Sequence, residues 1–376
     1  MRNCFEQREC RSLIVTIACC LTSFLFFSLN YQLKYFEKGR HAIFMEINTK
    51  MKSSEISEES KNEFPLCRSN LLDKRDYHYE ELARKFCNSS KLIPKNNSRK
   101  SCHLLQYTTK HVVTCFDALH QEQITRMHLN VRKISKRSNK LHFVFIGDSR
   151  IRQQFYNFLK LIPNYDRDTK PPILLHNSPF FHGDKIEVYS SILRLRISFL
   201  WRPTINDSLV GTIKHWTQSE ENKRPTLIFL GMATHFMLQM NGASYGLYEE
   251  RIRELSAILG QLTDFSKVIW LNQYPTVELY GDTDSHNTDV HSRKIHQYNE
   301  VTRKILKKQR RVRIWDSSNQ FAEEYVRGCA ITFGRFTPIY FDCQDFIHTG
   351  YVALSEATQL LYNDICNAKI RHRSNQ

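Results

Sequence analysis

An α/β domain with a parallel sheet is the fold class that the chain predicts. Apolar runs of strand length recur at residues 142–146, 225–231, 267–271 and 312–315. Apolar residues at helical spacing follow these runs, so strand and helix patterns alternate along the chain. Runs of this kind suit strands buried on both faces, as in a parallel sheet flanked by helices. With 376 residues, 41% apolar and 12% aromatic, there is material for one large domain plus extras.

Taken in order, residues 1–12 are a short polar tail of mixed charge, expected to be cytoplasmic. Residues 13–29 carry no charge, and seventeen residues rise about 26 Å as a helix, close to the lower limit for a bilayer. A transmembrane signal anchor over 13–30 is therefore expected, with a cleaved signal peptide as the alternative. Flanking charge does not set its orientation, because Arg2, Arg8 and Arg11 are matched by Lys34, Lys38 and Arg40. Residues 31–66 are polar and charged and read as a stem, or alternatively as a surface-hugging helix.

Seven of the 11 cysteines follow the anchor, among them Cys67, Cys87, Cys102 and Cys115 in the irregular stretch 67–139. That stretch is expected to be a disulfide-braced lead-in, which requires a non-cytosolic compartment. A Cys102–Cys115 bridge would close a short loop and stabilise by about 3 kcal/mol. Three N-x-S/T triplets, at Asn88, Asn96 and Asn206, are glycosylation candidates that point the same way. A short, Phe-rich span fits a thin, early secretory membrane better than the plasma membrane, so a single-pass protein with its carboxyl-terminal part lumenal is expected.

The main domain is expected over 140–370, with 371–376 as a tail. Its first strand, 142–146, breaks at Gly147-Asp148-Ser149, and Phe155, Phe158, Leu159 and Ile162 then fall at helical spacing. Residues 186–201 alternate and read as one or two strands. After strand 225–231, Tyr248, Ile252, Leu255, Leu259 and Leu262 mark a helix; strand 267–271, a helix over 290–308 and strand 312–315 follow. A last helix over 351–366 turns Leu354, Ala357, Leu361 and Ile365 inward.

Strand, glycine turn and helix put Ser149 at the carboxyl end of a strand, where open α/β sheets place ligands. Incipient helix N–H groups there favour developing negative charge. Ser149 is accordingly either a nucleophile or simply the helix N-cap. A serine nucleophile needs a base and a carboxylate to orient it, and Asp345-Phe346-Ile347-His348 supplies both on one side of a turn. Taken alone, that tetrapeptide also reads as an ordinary capped helix start.

Together these motifs resemble the SGNH/GDSL hydrolase superfamily. FIGDSRIRQQFYNFLKLI, FLWRPTINDS, IKHWTQ, LIFLGMAT and the helix ending LYNDICN resemble its PC-esterase branch, as found in the lumenal domain of Golgi sialic acid O-acetyltransferase, over about residues 102–367. The resemblance implies a three-layer α/β/α domain. It implies Ser149 as nucleophile, His348 as general base and acid, and Asp345 as its orienting partner. It further implies an oxyanion hole from the Ser149 N–H, Gly231 and an Asn; no GxND motif is present, and Asn241 is the substitute. Arg152, one turn beyond Ser149, is a substrate-binding candidate or a structural ion-pair partner.

The family enzyme continues into a many-pass membrane domain, whereas this chain is expected to carry the catalytic-type domain alone. No bound cofactor is expected, and acetyl-CoA is the candidate donor. Three functions stay open: O-acetyl transfer to sialic acid (with CMP-sialic acid as a candidate acceptor) or another glycan, O-acetyl ester hydrolysis, and glycan binding without catalysis. The net charge of +16 suits acidic partners, but a lumenal domain excludes nucleic acid. His286, His291 and His296 do not share a helical face, and no Cys/His spacing suits zinc, so no metal is expected.

Overall fold

The computed structural model describes residues 105–129, 140–171, 184–220, 223–239, 242–276, 289–319, 321–323, 325–326 and 347–370. The expected tail, anchor and stem, most of the lead-in with Asn88 and Asn96, and also Asn241 and Asp345 lie outside these residues. Among the described residues, no helix is long and apolar enough to cross a membrane.

Seven strands form one sheet: β1 (Leu141–Gly147), β2 (Arg167–Lys170), β3 (Lys185–Ser190), β4 (Leu195–Trp201), β5 (Leu227–Gly231), β6 (Lys267–Leu271) and β7 (Val312–Trp315). Their spatial order is β2-β3-β4-β1-β5-β6-β7. From β4 to β7 all neighbours are parallel. The wholly parallel sheet expected from the sequence is thus extended by an antiparallel edge, β2 and β3. β3 and β4 are joined by a turn at 191–194 with Arg194 at φ 46°, and so short a link joins only antiparallel strands. β2 (Arg-Asp-Thr-Lys) carries no apolar signal because both its faces are partly wet.

Seven helices are described: α1 (Thr109–Leu129), α2 (Ser149–Lys160), α3 (Asp207–Gln218), α4 (Thr234–Met237), α5 (Tyr245–Leu262), α6 (Ser292–Leu306) and α7 (Tyr351–Ile370). Side chains of β1 alternate between two cores. Phe143 and Phe145 pack with residues of α1, α2 and α7 on one face. Val144 and Ile146 pack with α3, α5 and α6 on the other. This is a three-layer α/β/α arrangement. The helix pattern over 290–308 begins only at Ser292, because the His291 ring caps it by accepting the Lys294 N–H at 3.4 Å.

The first core is aromatic. Phe145 stacks on Phe229 at 4.4 Å, and Phe158 on Tyr362 at 4.4 Å. Such pairs add about 0.5–1.5 kcal/mol each beyond their buried area. The lead-in is stitched to α7 by side-chain amides that act as strand partners. Gln359 accepts from the Tyr107 N–H at 2.6 Å and donates to its carbonyl at 3.0 Å. Asn363 does the same for Leu105, at 2.8 Å in both directions.

Cys115 is bonded to Cys366, across 251 residues, with Cα atoms 5.5 Å apart. This corrects the Cys102–Cys115 expectation. α1 lies along α7, so the buried face of α1 brings Cys115 against a residue near the chain's end, a neighbour that short loop length could not reveal.

Topology places the crevice. β4 and β5 flank β1 on either side. The helix leaving β1 packs into the first core and the helix leaving β4 into the second. Adjacent strands whose helices depart to opposite faces leave an opening at their carboxyl ends.

Candidate active site

Ser149 stands at that opening. Asp148, not Ser149, is the N-cap of α2. Its backbone is extended (φ −87°, ψ −165°), and its Oδ1 accepts the Arg150 N–H at 3.1 Å. The Asp148 carbonyl accepts the first helical bond, from Arg152 N at 3.0 Å. Ser149 is therefore the first helical residue, and its hydroxyl is not used for capping. Being at that position, its N–H has no acceptor within the helix and faces outward along the axis.

The Ser149 Oγ lies 2.6 Å from Nε2 of His348, which stands on the segment entering α7. The chain thus brings together two groups 199 residues apart. Both are partly exposed, so substrate and water have access.

Gly147 and Gly231 are register partners at the ends of β1 and β5. A Cβ on Gly147 would sit 2.1 Å from the Gly231 carbonyl oxygen, and one on Gly231 would sit 2.6 Å from both the Leu271 carbonyl oxygen and Ile151 Cδ1. Only glycine lets strand ends and helix approach this closely. The observed contacts of Gly231, the oxyanion candidate, are those of close packing at the base of the crevice.

A ring wall crosses the end of β1. Trp201 closes β4 and His235 lies in α4, the short helix after β5, yet their ring centroids lie 5.8 Å apart at 88°. Since β1 runs between β4 and β5, this contact spans the place where the Ser149 turn emerges. Arg152 is 6% exposed and sets its guanidinium over the Trp201 ring at 5.1 Å. Burial pulls the Arg152 pKa down, opposed by Tyr156 and by the Asp148 carboxylate. Burial also lowers the His235 pKa; Asp148 opposes this, and the nearby His348 adds to it. A neutral imidazole at His235 is the consequence near neutral pH.

Asn206 is exposed and caps α3, its Oδ1 accepting the Leu209 N–H at 3.0 Å. Its Nδ2, the atom a glycan would modify, is not the capping atom. Three residues of the site went unseen in the sequence: Arg150, Tyr274 and His235. Arg150 and Tyr274 act on backbone groups far away in the chain, which leaves no local pattern. For His235, its place four residues after a strand ending in glycine was the one available signal.

No family model matches the chain. It is 31% identical over 187 residues to an N-acetylneuraminate (7)9-O-acetyltransferase of Danio rerio, a span that covers 48% of this chain and 22% of that protein. The chain thus matches about a fifth of the length of that relative. Among solved structures, an acetylxylan esterase from Geobacillus stearothermophilus aligns with 60% of this chain and 94% of its own, at 13% identity and a TM-score of 0.34. A GDSL-like lipase from Bacteroides thetaiotaomicron aligns with 66% of this chain and 97% of its own, at 12% identity and a TM-score of 0.33. These scores are low, and the fold is read from the chain's own topology. In sequence, the motif-based resemblance to sialic acid O-acetyltransferase agrees with the Danio rerio match.

Proposed function

We propose that this protein is an acyl-transferring enzyme that moves acetyl groups onto hydroxyls of sialic acid or another glycan. The observation that carries this reading is the 2.6 Å contact between Ser149 Oγ and His348 Nε2 at the carboxyl end of β1. As the Ser149 oxygen attacks the acetyl carbonyl, Nε2 takes its proton. The tetrahedral oxyanion develops in front of the Ser149 N–H, at the positive end of α2. Collapse expels the donor, which leaves with the proton from His348, and an acetyl-serine ester remains. A sugar hydroxyl then gives its proton to His348 and attacks the ester, and Ser149 is regenerated.

Asp345, three residues before His348, is assigned the orienting carboxylate, and Asn241 and Gly231 further oxyanion contacts. Acetyl-CoA is the proposed donor and CMP-sialic acid one proposed acceptor. The proposed setting is the Golgi lumen, with residues 13–30 as the anchor.

A second reading, ester hydrolysis, is favoured by the partial exposure of both Ser149 and His348, which admits water as the acceptor. Both are tested on the full chain, given acetyl-CoA with CMP-sialic acid and, separately, an aryl acetate. Transfer to sugar is expected, and Ser149→Ala should lower turnover by about 10⁴-fold or more. Acetate release without sugar acetylation favours the hydrolase. Turnover that survives Ser149→Ala removes both readings.

A further inference from the structure

Arg150 immediately follows the nucleophile and is 3% exposed, yet among the described residues its side chain is held by carbonyl and amide oxygens rather than by a carboxylate. Its Nε and Nη2 both donate to the Ile347 carbonyl, at 3.0 and 2.7 Å. Its Nη1 donates to the Tyr274 carbonyl at 2.7 Å and to Gln273 Oε1 at 3.3 Å. The guanidinium also lies 3.9 Å from the centroid of the Tyr274 ring. Tyr274 in turn accepts the Thr349 N–H on its hydroxyl at 3.0 Å.

These contacts fall on the two peptide groups that bracket His348. The carbonyl before it is held by Arg150 and the N–H after it by Tyr274. The far end of the clamp is itself tied down, because Asn299 on α6 accepts the Gln273 N–H at 3.0 Å and donates to its carbonyl at 2.7 Å. One end of the clamp is covalently joined to Ser149, so nucleophile and base move as one body.

The geometry points to Arg150 and Tyr274 as positioning residues that set His348 against Ser149, by gripping the backbone on either side of the histidine. This rests on the nucleophile and base roles proposed above. The guanidinium fork is required, since one planar group must reach Ile347, Tyr274 and Gln273 at once; an ammonium supplies the charge without that geometry. A displacement of His348 by about 1 Å is enough to cost on the order of 100-fold in rate.

The test uses the full chain with an aryl acetate, measuring kcat and KM separately. Arg150→Lys is expected to lower kcat by about 10- to 100-fold with KM nearly unchanged. Tyr274→Phe keeps the stacked ring and loses only the hydroxyl, and should lower kcat by several-fold, again at constant KM. Because both grip one segment, the double variant should be less impaired than the product of the two losses. Parental kcat in both single variants overturns the inference. So does a raised KM at unchanged kcat, which would make them substrate contacts. Should Arg150→Lys fail to fold, as seen by circular dichroism, Tyr274→Phe decides alone. Ser149→Ala run alongside separates the two levels: if it is inactive while both clamp variants are unimpaired, only the clamp is wrong; if it stays active, the nucleophile reading is wrong.

Discussion

Replacing Gly147 by alanine adds one methyl at the base of the crevice, and the structure sets the size of the effect. The new Cβ would lie 2.1 Å from the Gly231 carbonyl oxygen, 2.5 Å from Ile151 Cγ1 and 2.9 Å from Ile151 Cβ. Ordinary separation is about 3.5 Å, so β1 and β5 must part by more than an ångström, or α2 must lift away. Neither neighbour is a flexible tip, since the Gly231 oxygen is backbone beside a parallel ladder and Ile151 is buried in the first core. Overpacking of this kind costs about 3 kcal/mol. For a domain of this size that lowers the melting temperature by about 6–12 °C. Since Ser149 is only two residues along, kcat on an aryl acetate should fall on the order of 100-fold as well. Thermal denaturation followed by circular dichroism and a kinetic assay measure the two. A Gly147→Ala protein that melts within about 2 °C of the parent and turns over normally would refute the close approach of the strand ends.

Two further outcomes concern the framework. Cys366→Ser should cost about 3–5 kcal/mol, because the Cys115–Cys366 bridge closes a loop of 251 residues; a parent whose melting is unaffected by reductant would contradict this. His142, beside Ser198 Oγ at 3.1 Å, has its pKa lowered to about 3, chiefly by burial and further by Arg196. Its unfolded value is near 6.5, so between those limits the unfolded chain binds more protons and stability rises with pH. This group alone should remove about 2 kcal/mol between pH 7 and pH 5. Urea midpoints at the two pH values should differ less in His142→Gln than in the parent, and equal differences would count against the buried neutral ring.

The centre of the parallel sheet was legible because β1, β5 and β6 are dominated by apolar runs, a pattern that burial on two faces enforces locally. The antiparallel edge was only half legible: β3 alternates, whereas Arg-Asp-Thr-Lys in β2 carries nothing apolar to declare it. For Ser149 the local reading stayed divided between cap and nucleophile. Asp148, one residue earlier, takes the capping role, and that depends on backbone angles rather than on residue types. Arg152 was read as a substrate-binding candidate or an ion-pair partner, and its place over the Trp201 ring is a contact that no local spacing records.

By itself the sequence determined the main strands and helices after residue 140 and their order (β2, α3 and α4 apart), the strand–turn–helix that presents Ser149, and the resemblance carried by Gly147-Asp148-Ser149 and Asp345-x-x-His348. These are short-range properties, set by periodicity and turn chemistry over a few residues. Tertiary structure alone decided that His348 meets Ser149 across 199 residues, that Cys115 finds Cys366 and that Arg150 grips the Ile347 carbonyl. Each of these depends on which strands neighbour β1 and on how α1 and α7 lie together. Those choices are made by the burial of whole faces, and no spacing along the chain records them.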